Sequence, residues 1–346
     1  MSIVSVIGTR PQYIKYHAIW KAFQAFGLGH EYIDTGQHYS PELSRDLIED
    51  LGIPLPLLNL NVGSGSHAVQ TSKMLTGLEE VLSKLKPSGV LVYGDTNSTL
   101  AAALVAAKLN IPIGHIEAGL RSRNKKMPEE VNRIVVDHIS DRLYAPTESS
   151  LRNLQLENLA PYSVFSGDIM IETLRHSLLK VTPYVQKYPY YLATIHRHSN
   201  VDTIERISEI LLAFNRLDHQ VILLAHPRIF EAVKLNPDKL GDNVHILPAQ
   251  THTQTLSMIL GSQGVITDSG GLQKEAYLLG KICTTLRSEI EWIETLSGDW
   301  NRLCANISDL RNTVARKIPI NPPAETFGNG EASRIIVNDF LNYINS

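Results

Sequence analysis

The stretch GVITDSGGLQKEAYLLGK, Gly264–Lys281, decides the fold class. A β-branched run, Val265-Ile266-Thr267, ends at Asp268, bends through Ser269-Gly270-Gly271 and passes into a helical pattern opened by Leu272-Gln273-Lys274-Glu275-Ala276. A strand feeding a helix through a glycine bend is the repeating unit of parallel α/β sheets. The start of such a helix is a seat for an anion, because its first backbone N–H groups lack intrahelical acceptors and carry partial positive charge. Gly270 and Gly271 permit close backbone approach and Ser269 adds a hydroxyl, so a diphosphate is the natural guest. The simpler alternative is a tight turn in which Ser269 only caps the helix, and SGG on its own favours that alternative.

The same alternation extends outward. In the first half, Ile3–Ile7, Tyr32–Asp34, Val90–Tyr93, Ile113–Ile116 and Leu143–Ala145 read as strands, with helices expected near 14–26, 41–51, 68–85, 98–109 and 128–139. In the second half, strands at Tyr190–Thr194, Val221–Ala225, Val244–Leu247, Val265–Thr267 and Ile282–Thr285 alternate with helices near 204–214, 253–260 and 272–279. The pattern predicts an α/β chain of two Rossmann-like, doubly wound parallel-sheet domains facing a cleft: 1–170 with an acid cluster, 171–330 with the anion seat, and a helix in 331–346 packing back towards the first. Ligands of such folds sit at the carboxyl ends of the strands.

Composition narrows the function. With 346 residues, 43% hydrophobic and 19% charged, the chain reads as a soluble protein of about two domains. A net charge of -3 and the lack of a long basic block exclude recruitment of nucleic acid or a membrane surface by bulk charge, so an anionic ligand must be held by local groups. Cys283 and Cys304 form no CxxC and read as buried thiols of a reducing compartment. MSIVSVIGTRPQ lacks the basic start and long apolar core of a signal peptide, so a cytoplasmic protein is expected.

Candidate reactive residues fall at strand ends. GTRPQYIK, Gly8–Lys15, is a second anion-receptive helix start where Arg10 and Lys15 are suited to phosphate, although each taken alone reads as a solvated residue beside a loop. In Gly94-Asp95-Thr96-Asn97-Ser98, capping by Asn97 or Ser98 leaves Asp95 for the ligand side. Period two along 113–117 puts Ile113, His115 and Glu117 on one strand face, with Glu117 a candidate acid or base and His115 a hydrogen-bonded core residue. Glu129 and Glu130 open the next helix, where acids complement the macrodipole. Gathered together, Asp95, Glu117 and Glu129 would raise one another's pKa and suit removal of a carbon-bound proton. In the second half, His196 beside Arg197 is suited to steadying a departing phosphate. A metal shared by His196 and His198 on one strand face has no cysteine pair or acidic ligand to complete it, so none is expected.

Taken together, GTRPQYIK, TGQHY, YGDTNSTLAAALVA, HIEAGLR, MPEEVNRIVVDHIS, TIHR, DSGGLQKEA and GNGEASRI resemble the non-hydrolysing UDP-N-acetylglucosamine 2-epimerase family, in order and almost from end to end. The resemblance implies a glycosyltransferase-B-like pair of Rossmann domains, a UDP-sugar substrate, no cofactor and a homodimer. It assigns Asp95, Glu117, Glu129, His196 and Lys15 to catalysis, and Arg10, Ser269, Gly270, Gly271, Glu275 and Arg287 to substrate binding. The chemistry it implies is loss of the C2 proton and of UDP to give a 2-acetamidoglycal, followed by reprotonation on the other face and return of UDP. The rival readings are a glycosyltransferase of the same shape, a nucleotide-sugar sensor without turnover, and a hydrolysing epimerase.

Departures from the family pattern bear on the substrate. Gln12 and Lys274 stand where Glu is usual and Trp292 where Arg is usual, a pattern similar to the branch acting on UDP-2,3-diacetamido-2,3-dideoxyglucuronic acid, an O-antigen precursor. A more positive pocket would suit that extra carboxylate. Changes at His198-Ser199-Asn200 and His226-Pro227-Arg228 speak against the second, activating UDP-sugar site that bacterial relatives line with residues near Gln37, His38 and Arg197.

Overall fold

Strands buried on both faces need helices on both sides, and the chain supplies them by alternation. The computed structural model describes residues 2–37, 41–225, 227–321 and 326–346. Its first seven strands are β1 (Ile3–Ile7), β2 (Glu31–Asp34), β3 (Leu58–Asn59), β4 (Gly89–Tyr93), β5 (Ile113–Ile116), β6 (Arg142–Ala145) and β7 (Ser163–Phe165). Between and after them run α1 (Arg10–Ala25), α2 (Pro41–Leu51), α3 (His67–Leu85), α4 (Asn97–Lys108), α5 (Pro128–Ile139), α6 (Glu148–Leu156) and α7 (Met170–Leu178). The strands form one parallel sheet in the order β3-β2-β1-β4-β5-β6-β7. Residue parity shows both faces at work: Ile3 and Ile7 join one core with Leu91 and Tyr93, while Val4 and Val6 join another with Val90 and Val92.

The second sheet runs β10-β9-β8-β11-β12-β13, also parallel. Its strands are β8 (Tyr190–Ile195), β9 (Gln220–Ala225), β10 (Val244–Leu247), β11 (Gly264–Thr267), β12 (Cys283–Thr285) and β13 (Asn301–Leu303). The accompanying helices are α8 (His198–Val201), α9 (Ile204–Asn215), α10 (Pro227–Leu235), α11 (His252–Gly261), α12 (Gly270–Leu278) and α13 (Leu310–Val314). A last helix, α14 (Ala332–Asn345), places Ile336, Val337 and Phe340 in the core of the first sheet. The chain divides into Met1–His176 with Glu325–Ser346, and Ser177–Ala324. Among the described residues no helix is long and apolar enough to cross a membrane.

In each sheet the strand order reverses at one place, between β1 and β4 in the first and between β8 and β11 in the second. Loops leaving the two neighbouring strands diverge there, which opens a crevice at their carboxyl ends. The expected fold class, two Rossmann-like parallel-sheet domains, is therefore the one found. The strands missed in the sequence, β3, β7 and β13, are two or three residues long, too short for alternation to register.

One polar chain crosses the first core. Ser5 Oγ lies 2.8 Å from His30 Nε2 and 2.5 Å from the Tyr93 hydroxyl, and His30 stacks on Phe23 with ring centroids 4.1 Å apart. Burial pulls the His30 pKa down to about 3, the nearby Ile3 backbone carbonyl opposing it only in part. An unfolded histidine titrates near ~6.5, so below that pH the unfolded chain takes up a proton that the folded chain refuses. The stability tied to His30 is whole above about pH 6.5 and is lost as pH falls towards 3, amounting to roughly 2–3 kcal/mol at about pH 4.5. Urea unfolding at about pH 7.5 and 4.5 checks this. His30→Phe, which keeps the stacking, is expected to shrink the difference between the two pH values by that amount; an unchanged difference contradicts it.

Candidate active site

At the switch point of the first sheet, the segment after β1 carries Arg10 and Lys15, the segment after β4 carries Asp95, and the segment after β5 carries Glu117. Lys15, one turn into α1 and buried, donates to Glu117 Oε1 at 2.6 Å. The sequence reading put Glu117 on the β5 face with Ile113 and His115. It lies instead beyond the end of β5 with φ of 72°, a left-handed conformation that costs a non-glycine residue about 1 kcal/mol or more. That conformation turns its carboxylate to Lys15. Gly94 is left-handed too, and an added Cβ there would meet Lys15 Nζ at 3.3 Å and Glu117 Oε1 at 3.4 Å. His115 is the core residue expected, with Nδ1 2.7 Å from Asp137 and Nε2 2.7 Å from the Gly94 carbonyl.

Asp95 is half-buried and accepts from Arg133 Nη1. It does not cap α4, and neither Asn97 nor Ser98 does so: Thr96 is the cap, its hydroxyl accepting from Thr99 N. Burial raises the Asp95 pKa most; Arg133 and Lys15 lower it, while Glu117 and Glu129 raise it. The three carboxylates singled out in the sequence thus form one electrostatic group. Glu129 is half-buried and has no polar partner among the described residues, whereas the adjacent Glu130 is buried, accepting from Ser122 N, Arg123 N and Arg133.

Gln12 explains how this corner is fastened. Its Oε1 accepts from Gly8 N at 2.9 Å, Thr9 N at 3.1 Å and the Thr9 hydroxyl at 3.2 Å. Its Nε2 donates to the Tyr93 carbonyl at 2.8 Å and to the Thr96 and Thr99 hydroxyls at 3.0 and 2.9 Å. The side chain joins the Gly8-Thr9 turn that leads into α1 to the loop bearing Asp95, and at 1% exposure it offers no neutral group to a ligand. Arg10 is the first residue of α1 and half-buried.

The switch point of the second sheet collects the residues of the anion seat. Ser269 is the N-cap of α12 and accepts from Leu272 N, so the capping alternative describes it correctly. Gly270 and Gly271 are the first helical residues. A Cβ on Gly270 would stand 2.8 Å from Glu291 Oε1, whereas one on Gly271 meets only Ser269 Oγ, at 4.0 Å. Gly270 therefore makes room for Glu291, and the side of α12 at Gly271 is open. Asp268, fully buried at the end of β11, accepts from His196 N and Arg197 N, from Asn200, and from His196 Nδ1 at 3.0 Å. Burial alone would raise its pKa, but these contacts outweigh it and hold Asp268 below the usual carboxylate range. With Nδ1 tied to Asp268, the half-exposed His196 has no partner for Nε2 among the described residues.

Two residues expected to face substrate have protein partners. Glu275 Oε1 is 2.9 Å from His252 Nε2, both buried. Arg287 is buried and bidentate to Glu291, at 2.7 and 3.2 Å. Lys274 and Trp292, noted separately as departures, touch: the ammonium lies 3.7 Å from the centre of the indole ring, with both side chains buried. His196 follows β8 and His198 begins α8, so the two do not share a strand face. Gln37 accepts from Ser98 N and its hydroxyl, while His38 and His226 lie outside the described residues.

Arg133, Asp137, Glu291 and His252 escaped the sequence reading, and Glu130 figured in it only as an acid complementing the helix dipole. The i, i+3 spacing of Glu130 and Arg133 on a helix start was a usable sign. His252 gave none, because its partner lies 23 residues on.

Two doubly wound units, one with an acid cluster at its switch point and one with an open helix start at its own, define a two-domain enzyme of Rossmann type. A family model described as UDP-N-acetylglucosamine 2-epimerase matches residues 21–340. Similar proteins include a "UDP-N-acetylglucosamine 2-epimerase homolog" of Methanococcus maripaludis, 39% identical over 99% of this chain and 100% of that one. Another is the UDP-2,3-diacetamido-2,3-dideoxy-D-glucuronate 2-epimerase of Pseudomonas aeruginosa, 38% identical over 96% of this chain and 97% of that one. The crystal structure of Methanocaldococcus jannaschii UDP-GlcNAc 2-epimerase, in complex with UDP-GlcNAc and UDP, superposes with a TM-score of 0.88 at 35% identity, covering 99% and 100% of the two chains. The chain belongs to the UDP-N-acetylglucosamine 2-epimerase family and is an isomerase.

Replacing Gln12 by Leu removes the acceptor of two buried backbone N–H groups and the donor to the Tyr93 carbonyl. The Tyr93 carbonyl still accepts from the Thr99 hydroxyl at 2.6 Å, so at about 1–3 kcal/mol for each of the two N–H groups left unsatisfied a loss of at least ~2 kcal/mol is expected in urea unfolding. A loss below ~1 kcal/mol would show that the corner repacks.

Proposed function

We propose that the chain inverts C2 of a UDP-2-acetamido sugar by eliminating UDP and adding it back. The observation that carries this reading is the grouping of Asp95, Glu117 and Glu129 with Lys15 and Arg133 at the carboxyl end of one sheet. A carboxylate takes the C2 proton, the electrons of the C2–H bond form the C1–C2 double bond, and the C1–O bond breaks with its electron pair leaving on UDP. A proton then reaches C2 from the opposite face, and a UDP oxygen re-forms the bond to C1. Two faces need two proton carriers. Glu129, with no polar partner among the described residues, is suited to exchange its proton with solvent; Glu117 is held beside Lys15, which is suited to shuttle a proton or offset charge.

The second unit supplies retention of UDP in this scheme. The open helix start at Ser269, Gly270 and Gly271 and His196 Nε2 suit the diphosphate, and Glu275, oriented by His252, suits the ribose hydroxyls. Holding UDP through the glycal stage is what separates an epimerase from a hydrolase. A cytoplasmic role in making surface-polysaccharide precursors follows from this substrate class.

A second reading of the sugar, the diacetamido uronate, is favoured by the similarity to the Pseudomonas aeruginosa glucuronate 2-epimerase; Lys274 of α12 changes the charge of that helix but is buried against Trp292 and offers no exposed group to a ligand. Gln12 gives it no support, being enclosed by its own hydrogen bonds. A higher kcat/KM for the uronate than for UDP-N-acetylglucosamine would establish it; a preference for the neutral sugar would remove it.

The division of labour is tested by two variants. Gly271→Ala is expected to keep or slightly raise Tm, since the added methyl meets no protein atom closer than 4.0 Å, and to weaken UDP binding about tenfold or more in calorimetry. Glu129→Gln is expected to keep UDP affinity within about twofold and to lower kcat roughly 100-fold or more. Unchanged UDP affinity in the first, or unchanged kcat in the second, would count against the scheme.

A further inference from the structure

Arg133, on the second turn of α5, is 1% exposed and among the largest fully buried side chains. A guanidinium in such a place is stable only if its donors are used. Nη1 donates to Asp95 Oδ2, while Nε and Nη2 donate to Glu130 Oε2 at 3.1 and 2.8 Å. Glu130 is itself anchored to the segment after β5, accepting from Ser122 N and Arg123 N at 2.8 Å each and from the Ser122 hydroxyl at 3.0 Å. The neighbouring Asn132 donates to the Asp95 carbonyl at 2.9 Å. Two consecutive residues of α5 therefore grip Asp95 by side chain and by backbone.

The grip is one-sided. It engages Oδ2 and leaves Oδ1 of Asp95 without a protein partner among the described residues, on a side chain that is 29% exposed. Glu130 has three donors besides Arg133, so its own burial does not require the guanidinium to extend to Asp95. Building on the epimerase reading, we propose that Arg133 is a positioning residue for the reaction: it fixes the orientation of Asp95 and keeps it a carboxylate, so that Oδ1 is presented for proton handling. Glu117, Glu129, Lys15 and Glu130 are the other charged groups of this corner, and of these Glu117 and Glu129 oppose the ionised form that Arg133 and Lys15 favour.

Steady-state turnover of UDP-N-acetylglucosamine, its pH profile and UDP affinity distinguish this role from a purely structural one. Arg133→Ala is expected to lower kcat about 100-fold with KM and UDP affinity within about threefold, to move the acid limb of the profile to higher pH, and to regain about tenfold on addition of millimolar guanidinium. Arg133→Lys, which restores charge without the fork, is expected to be intermediate in kcat with the acid limb nearer that of the wild type. A folded Arg133→Ala with kcat within about threefold of wild type, or a loss that guanidinium leaves untouched with the pH profile unmoved, would overturn the proposal. If the alanine variant does not fold, Arg133→Lys decides: a loss of about tenfold or more in kcat supports the proposal, and wild-type kcat overturns it. A wild type that is folded and binds UDP but does not epimerise any UDP-2-acetamido sugar would instead refute the epimerase reading.

Discussion

Charge matching at the carboxyl ends of the strands is the constraint on which the rest of this structure depends. A buried carboxylate without a cation or several donors costs more than an ordinary domain tolerates. Asp95, Glu117 and Glu130 can stand together because Lys15 reaches one and Arg133 bridges the other two. The backbone bends to make this possible: Glu117 and Gly94 are both left-handed where the Lys15 pair forms. Gln12 then binds the loops on either side into one unit, so the cluster rests on an uncharged frame.

The second unit meets the same constraint with different parts. Asp268 is wholly buried, and its charge is met by two backbone N–H groups, Asn200 and the His196 ring. Glu291 is met by Arg287. These pairs shape the start of α12 without occupying its open side at Gly271. In both units polar chemistry gathers where strand order reverses, for the topological reason that loops diverge there and nowhere else along the sheet edge.

Much of this was legible in the sequence because it is local. The Val265–Thr267 run, the SGG bend and the helix after it announced β11, the turn and α12 almost to the residue. Asp95, Glu117 and Glu129 could be named because each sits at an element end, where packing has little use for an acid. What was not legible is what depends on distant partners. Nothing near Glu117 shows that it leaves the strand to meet Lys15, 102 positions away, and nothing near Gln12 shows its bond to Tyr93. The charge argument built on Gln12 failed for that reason: a substitution counted as pocket chemistry proved to be a loop fastener. Lys274 and Trp292 looked like two departures and are one contact.

The proposed proton exchange at a sugar carbon, with UDP retained, rests on family membership, the matched charges and the open helix start. Incubation with UDP-N-acetylglucosamine in heavy water, with no acceptor present, tests this most directly. Deuterium at C2 of both epimers, with the nucleotide sugar intact, is the result expected. Epimerisation without label, or free sugar and UDP as the end products, would contradict it.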